Sequence, residues 1–357
     1  MIRSIYMNET NTTPRQSLIL TLVSQSQGIG RAEIEKKTAD KYPSSKPTIA
    51  RDLAKLVQQK LIKVSGKGKN TVYLPFIDNP LLRFIDEKQY FTREVDERID
   101  VQTSFDFSIF KYLRNIFSAD EITSLSKINK SFTKETEKLP QDIYRKELER
   151  FIIELSWKSS KIEGNTYTLL DTENLIKQSI EAKGHSKEEA IMILNHKRAF
   201  ETILTHKEEF KTITMSQITQ LHNVLVKGLS ITTGVRKEAV GITGTTYNPL
   251  DNHFQIKEAL EKTIAVINSA SYPLEKALIA LVFISYIQPF SDGNKRTGRM
   301  LANAILLAYD FYPLSYRSVD ETTFKQALIL FYETHSIVQF KKILTDQYRF
   351  ALNTYFQ

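Results

Sequence analysis

Cysteine is absent from the 357 residues, which excludes disulfides, thiolate nucleophiles and thiolate zinc sites. Residues 1–13 are polar and lack the apolar stretch of a signal peptide. The longest apolar run, 277–287, is too short to span a bilayer and contains Ser285 and Tyr286. These absences predict a cytoplasmic protein with no membrane partner.

Positive charge is concentrated in residues 13–76. This segment has twelve Lys and Arg residues against four Asp and Glu residues, so its net charge equals the +8 of the whole chain. A small segment that is this basic favours a polyanionic partner.

The same segment has the pattern of three helices followed by a hairpin. Arg15–Ser24 and Ala32–Ala39 have apolar residues at helical spacing, and a third helix is predicted to begin after Ser45. Two β-prone runs, 61–64 and 71–74, flank a turn rich in Gly and Lys and predict a hairpin.

This order of elements resembles the winged helix-turn-helix, in which the third helix enters the major groove of DNA. We therefore expect residues 1–76 to form such a domain, with DNA as its partner. The candidate DNA-binding residues lie on the third helix and in the hairpin turn: Lys46, Thr48, Arg51, Lys55, Lys67 and Lys69. The alternative is a protein-interaction domain with a solvated basic face, since charge alone gives only non-specific affinity for nucleic acid.

The remainder of the chain is predicted to be mainly α-helical. Residues 77–140 are expected to form a helical connecting region, and a stretch rich in Thr, Gly and Asn at 230–253 breaks the helical pattern. Helical periodicity marks seven segments after residue 140: 141–162, 186–204, 214–229, 255–269, 274–287, 294–308 and 322–350.

The segment 288–299 has the features of a phosphate-binding loop that leads into a helix. Pro289 prevents the preceding helix from continuing, and Asp292-Gly293-Asn294 is a tight turn into the next helix. The free N–H groups at that helix start, together with the helix dipole, form an anion site. Arg296 and Arg299 share a helix face, where both can bind phosphate oxygens. A capped helix with solvated arginines is the alternative for so short a turn.

The full string from Gln288 to Arg299 resembles the signature of the Fic (Fido) family, His-Pro-Phe-x-Asp/Glu-Gly-Asn-x-Arg-x-x-Arg. Members of this family typically transfer AMP from ATP to a hydroxyl group of a protein. The resemblance implies that Asp292 holds Mg²⁺, that Arg299 holds the γ-phosphate of ATP, and that Phe290 anchors the loop. The candidate catalytic residues are Gln288, Asn294 and Arg296, and the candidate nucleotide-binding residues are Gly293, Asn294, Lys295, Arg296 and Arg299.

Residues 159–165 resemble the inhibitory motif of the family, Ser/Thr-x-x-x-Glu-Gly/Asn, at the end of a segment, 141–165, that would be the inhibitory helix. The matching residues are Ser159, Glu163 and Gly164. The resemblance implies that Glu163 pairs with Arg299, so that the γ-phosphate cannot take its productive position. An ordinary helix end is the alternative for Glu163-Gly164.

Residues 230–253 resemble the family's flap, a β-hairpin that clamps a target peptide by strand pairing. We take Gly244, Thr245, Thr246 and Tyr247 as the candidate flap residues. The partner at this hairpin would be an unknown target protein. The alternative is a long surface loop.

Gln288 stands where the family has its catalytic histidine, which accepts the proton of the attacking hydroxyl. A glutamine amide cannot accept that proton, and loss of a general base typically lowers the rate by roughly 10²–10⁴-fold. His253 is a candidate substitute base, whereas His222 is expected to have a structural or surface role. Lys295 replaces a common glycine, and the Doc subgroup, which transfers phosphate, has lysine at that place.

The expected architecture is a mainly α-helical Fic-type bundle at 141–357 with a β-hairpin flap, preceded by a small winged helix-turn-helix domain. The expected function is autoinhibited binding of ATP and Mg²⁺ by a relative of AMP transferases, with activity limited by Gln288. The alternatives are a catalytically silent, nucleotide-sensing regulator that binds DNA, and a structural adaptor that holds a peptide. The sequence leaves the oligomeric state open, a dimer included.

Overall fold

The computed structural model describes residues 12–24, 26, 28–76, 79–99 and 101–355, and these are mainly α-helical. The α-helices within these ranges are α1 Pro14–Ser24, α2 Arg31–Ala39, α3 Lys46–Gln58, α4 Glu87–Tyr90, α5 Ala119–Thr136, α6 Gln141–Ile162, α7 Leu169–Gln178, α8 Lys187–Thr205, α9 Met215–Val226, α10 His253–Ser269, α11 Pro273–Ile287, α12 Asn294–Ala308, α13 Glu321–Thr334 and α14 Val338–Thr354. The strands are β1 Ile29–Gly30, β2 Ile62–Ser65 and β3 Val72–Pro75. No helix in the described ranges has the length and apolarity needed to cross a membrane. Residues 1–11, most of the stretch compared above with a signal peptide, lie outside the described residues.

The first structural unit contains α1, α2, α3 and a three-stranded sheet in the order β1-β3-β2. Strands β2 and β3 form an antiparallel hairpin in which Ile62 lies opposite Pro75 and Ser65 opposite Val72. Nine buried residues form a core of their own in this unit: Ile19, Leu20, Val23, Ile29, Ile34, Ile49, Leu53, Leu56 and Ile62. The three helices and the hairpin thus lie where the sequence predicts them.

The centre of the second unit is helix α11, in which every residue from Pro273 to Ile287 is buried. Helix α12 packs along α11, and helices α6, α8 and α9 pack against α12. Gly298 permits the close contact, because a Cβ at this position would lie 2.9 Å from the carbonyl oxygen of Leu281. Leu81 and Leu125, from the region between the two units, are buried in the same hydrophobic core as the residues of α11 and α12.

Residues 230–253 contain no β-hairpin, so the prediction of a hairpin flap is wrong for this structure. In this segment only Asn248 forms a β-bridge, and its partner is Ser104 of the preceding region. The N–H of Asn248 donates to the carbonyl of Thr103 at 2.9 Å. The strand partner therefore comes from outside the segment.

Arg236 gives a physical reason for the irregular path. Its side chain is buried, and its guanidinium donates to the carbonyl oxygens of Gln288, at 2.6 Å, and of Glu238 and Leu250. One guanidinium thus forms hydrogen bonds with three carbonyl oxygens from separate parts of the chain, two of them within the segment itself. Those carbonyls are then directed at Arg236 instead of at a neighbouring strand.

Replacement of Gly298 by alanine is expected to lower the free energy of unfolding by about 1–2 kcal/mol, because overpacking between α11 and α12 outweighs the gain in helix propensity. Gly241→Ala is the matched control, since a Cβ there meets no atom within 4 Å. Urea unfolding of both variants measures the difference. Equal stability of Gly298→Ala and wild type would show that the two helices do not need the glycine.

Candidate active site

The loop between α11 and α12 begins and ends in left-handed backbone conformations. Gln288, at the end of α11, has φ 51°, and Gly293, before α12, has φ 79°. A Cβ at Gly293 would lie 3.1 Å from Cγ1 of Val226. Glycine therefore suits this position both in conformation and in space.

Asn294 fastens the loop to the first turn of α12. Its Oδ1 accepts from the N–H of Phe290 at 2.8 Å, and its Nδ2 donates to the carbonyl of Phe290 at 2.8 Å and to Oε1 of Gln288 at 2.9 Å. Phe290 is fully buried and stacks on the ring of His222 with 3.8 Å between centroids. The loop is thus held by its own side chains and by His222 of α9.

Both the nitrogen and the oxygen of the Gln288 side-chain amide form hydrogen bonds. Its Nε2 donates to the carbonyl of Ser285 at 2.6 Å, while Oε1 accepts from Asn294, and the residue is only 8% exposed. This position therefore has a neutral, immobilised amide and no basic nitrogen.

His253, the candidate substitute base, and His222, expected to be structural, each form a hydrogen bond with a backbone carbonyl. His222 Nε2 lies 2.9 Å from the carbonyl oxygen of Asp292, which can only accept, so Nε2 carries the hydrogen and donates a hydrogen bond to this carbonyl. Burial lowers the pKa of His222, which keeps the ring neutral. His253 Nδ1 lies 2.8 Å from the carbonyl oxygen of Arg236. His222 thus has a structural contact with the loop.

The start of α12 combines free N–H groups with positive charge. The N–H groups of residues 294–296 have no acceptor within the helix, and the Arg296 side chain is 3% exposed. Arg296 Nη2 lies 3.1 Å from Oδ2 of Asp292, whose side chain is 67% exposed. This arrangement can receive an anion at the backbone and a cation at the exposed carboxylate of Asp292.

Arg299, one turn further along α12, is completely buried and points at the end of α6. Its Nε donates to Oγ of Ser159 at 2.9 Å and its Nη2 to the carbonyl of Ser159 at 2.8 Å. Its Nη1 lies 2.7 Å from Oε1 of Glu163. Gly164 follows with φ 100°, which lets the chain turn directly after Glu163. The structure therefore brings together the residues that the two sequence motifs single out.

Glu163 is charged in this arrangement. Burial alone would raise the pKa of its carboxyl group, but Arg299 and then Lys295 outweigh burial and hold the pKa below the ordinary glutamate value. Lys295 Nζ lies 4.0 Å from Oε2 of Glu163. Lys295 thus adds to the positive charge that faces Glu163.

The predicted flap residues lie against α13 and α11. The hydroxyl of Thr245 donates to Oε1 of Glu333 at 2.6 Å, and the hydroxyl of the buried Tyr247 donates to the carbonyl of Tyr286 at 2.9 Å. Sequence reasoning missed Glu333, which has no local motif and which also pairs with Arg98 at 3.0 Å.

The predicted DNA-binding residues belong to the first unit, whose hydrophobic core is separate from the core that contains Phe290 of the loop. Five of them are exposed and Thr48 is half-buried, with its hydroxyl 2.8 Å from that of Ser45. The exposed five are Lys46, Arg51, Lys55, Lys67 and Lys69. Their contact with DNA stays a prediction.

A comparison with protein families identifies the region around the loop. Residues 212–306 match the family model described as the Fic/DOC family. Residues 212–306 are a Fic/DOC domain. This domain includes α9, α11, the loop and nearly all of α12.

Curated relatives of the chain are named protein adenylyltransferase Fic. The relative from Nematostella vectensis is 27% identical over 181 residues, which are 48% of this chain and 41% of the relative. The relative from Drosophila ananassae is 28% identical over 156 residues, which are 43% of this chain and 31% of the relative. The match thus spans less than half the length of these relatives.

Two solved structures share the fold around the Fic/DOC domain. Fic-1 (residues 134–508) from C. elegans has a TM-score of 0.58 at 17% identity, over 69% of this chain and 71% of that chain. A Fic domain containing signaling protein from Bacteroides thetaiotaomicron has a TM-score of 0.55 at 20% identity, over 65% and 94% of the two chains. At these identities the similarity establishes the fold alone.

The contribution of Glu163 to stability is expected to be constant at neutral pH and to disappear only in acid. Because the folded-state pKa is lowered, the contribution is complete above the unfolded pKa of about 4.3 and is lost as pH falls through the lower folded value. The measurement is the difference in unfolding free energy between wild type and Glu163→Gln from pH 8 to pH 3.5.

Glu135→Gln is the control for this measurement, since Glu135 and its partner Lys138 are 66% and 69% exposed. An exposed pair of this kind contributes little at any pH. A Glu163 contribution that already falls between pH 8 and pH 6 would contradict the lowered pKa.

Proposed function

We propose that this protein binds ATP and Mg²⁺ at the loop 288–299 in an autoinhibited state, and that it is related to enzymes that transfer AMP to protein hydroxyl groups. The observation that carries the proposal is the 2.7 Å pair between Glu163 and the completely buried guanidinium of Arg299. A nucleotide phosphate is the anion that would compete with Glu163 for this cation.

The binding step uses the start of α12. The free N–H groups of residues 294–296, the helix dipole and Arg296 would hold the phosphates. Asp292 would release Arg296 and bind Mg²⁺, since Mg²⁺ usually takes one or two carboxylates and otherwise phosphate oxygens and waters. The exposed carboxylate of Asp292 suits this role. The metal would neutralise phosphate charge.

The regulatory step is competition for Arg299. Two donor groups of its guanidinium are occupied by Ser159, so Nη1 is the part that faces Glu163. A γ-phosphate needs the same donor group. Glu163 is charged and is also attracted by Lys295. Nucleotide binding in a productive position therefore requires the end of α6 to move so that Glu163 leaves Arg299.

The chemical step is where the chain departs from an adenylyltransferase. In AMP transfer the hydroxyl oxygen bonds to the α-phosphorus, the bond to the β-phosphate oxygen breaks, pyrophosphate leaves, and the hydroxyl proton needs an acceptor. Gln288 stands at the place of the family's histidine and cannot accept that proton. The anion site and the metal would still stabilise the transition state, so transfer would be slow.

The names of the curated relatives support the class of reaction. Both are called adenylyltransferases, which favours AMP as the transferred group. Lys295, which suggested phosphate transfer by analogy with Doc, lies beside Glu163, where attraction to the carboxylate accounts for it. An unknown protein would supply the hydroxyl group near the segment 230–253, and we place the reaction in the cytoplasm.

Transfer from α-labelled ATP in the presence of Mg²⁺ tests this function. We expect Glu163→Gly to label protein slowly and Glu163→Gly with Gln288→His to label it faster by roughly 10²–10⁴-fold, because a general base is restored. Gln288→His alone is expected to stay slow, since Glu163 still occupies Arg299. A double variant that labels no more than Glu163→Gly would contradict the proposed reaction.

Two controls accompany this experiment. Glu135→Gly with Gln288→His changes a carboxylate that pairs at the surface and should not release activity. Label from γ-labelled ATP instead of α-labelled ATP would indicate phosphate transfer.

A second candidate function is a catalytically silent, nucleotide-sensing regulator that binds DNA through a winged helix-turn-helix. It is favoured by the amide of Gln288, which is bonded at both ends, and by the exposed basic residues of the first unit. The full chain with Lys67→Gln and Lys69→Gln should bind DNA less tightly, with a salt dependence lower by about two charges.

Lys127→Gln with Lys130→Gln, on the exposed side of α5, is the matched control and should leave binding unchanged. Fluorescence anisotropy of a labelled duplex at two salt concentrations measures both effects. In the Glu163→Gly chain, ATP with Mg²⁺ should change the DNA affinity. An affinity that ATP does not alter would exclude the coupling.

A further inference from the structure

His196, on α8, is completely buried, and no step described above uses it. Both of its ring nitrogens have partners. Nδ1 lies 2.8 Å from the carbonyl oxygen of Met192 and 3.2 Å from Oγ of Ser160, while Nε2 lies 2.8 Å from Oγ of Ser159. The ring thus stands directly behind the serine that holds Arg299.

The direction of each hydrogen bond follows from these partners. The carbonyl of Met192 can only accept, so Nδ1 carries the proton, and burial keeps the ring neutral by lowering its pKa to about 3. Nε2 is then an acceptor, and the hydroxyl of Ser159 must donate to it. The lone pairs of that hydroxyl remain for the N–H of Arg299 Nε, 2.9 Å away.

This chain of bonds determines how Arg299 is oriented. Ser159 accepts from Nε through its hydroxyl and from Nη2 through its carbonyl, which leaves Nη1 facing Glu163. Without an acceptor at His196, the Ser159 hydroxyl would turn to a carbonyl of its own helix, as buried serines commonly do. Its bond to Arg299 would then be lost.

We propose that His196 is a positioning residue: by holding the hydroxyl of Ser159, it directs Nη1 of Arg299 at whichever anion occupies the site, Glu163 or the γ-phosphate of a nucleotide. The inference rests on the proposed function, because it takes the γ-phosphate as the ligand of Arg299. A buried histidine that only fills space would tolerate an apolar residue of similar size.

Nucleotide affinity in the Glu163→Gly chain separates these roles, since ATP has a γ-phosphate and ADP lacks one. In this background, His196→Leu should weaken ATP binding about tenfold, the effect of one lost hydrogen bond to a charged group. The affinity for ADP should change by less than about twofold. His196→Gln retains an acceptor for Ser159 and should restore most of the ATP affinity. Calorimetry with Mg²⁺ and each nucleotide measures all of these values.

Ser159→Ala removes the middle group of the hydrogen-bond chain from His196 through Ser159 to Arg299, and it changes less of the side chain. It should weaken ATP binding as His196→Leu does, and the two substitutions together should do little more than either alone. Equal loss of ATP and ADP affinity in His196→Leu, or fully additive effects of the two substitutions, would overturn the positioning role.

A readout without nucleotide keeps the two proposals apart. The effects of His196→Leu and Ser159→Ala on the free energy of unfolding should also be less than additive, because each substitution removes the same His196–Ser159 hydrogen bond. If they are less than additive while Glu163→Gly binds ATP no better than ADP, the proposed function fails and the His196–Ser159 link stands. If they add fully, the link itself is refuted.

Discussion

The buried charge of Arg299 is the constraint on which the site depends. A guanidinium away from water is costly unless it is paired and hydrogen-bonded, and here the end of α6 supplies both requirements. Ser159 accepts from two of its nitrogens and Glu163 lies 2.7 Å from the third. Removal of Glu163 would leave a cation that needs another anion. In the proposed function, that other anion is the γ-phosphate of the nucleotide.

Much of the loop could be predicted because its causes are local in the sequence. Pro289 ends α11, Gly293 has the left-handed conformation of a tight turn, and α12 begins at Asn294 as expected. Gln288 was visible as a departure from the family signature, but its bonds were not. In the structure its Oε1 accepts from Asn294, so a residue without basicity still helps to hold the loop.

The features that sequence reasoning missed depend on partners that are distant in the chain. The segment 230–253 does not form a hairpin, because the guanidinium of Arg236 donates to two of the segment's carbonyl oxygens and Asn248 pairs with Ser104. The helical pattern of 322–350 is broken into α13 and α14 at His335, where φ is 58°. His196 had no signal at all, since a histidine in a helix acquires its role only when α6 packs against α8.

The structure of Glu163→Gly with Mg²⁺ and a non-hydrolysable ATP analogue tests the central claim most directly. We expect the γ-phosphate within hydrogen-bond distance of Nη1 of Arg299, with Ser159 still bonded to the same guanidinium. The other phosphates should lie over the N–H groups of residues 294–296. A nucleotide bound without contact to Arg299, or with its phosphates away from the start of α12, would contradict the claim that Glu163 and the nucleotide compete for one buried cation.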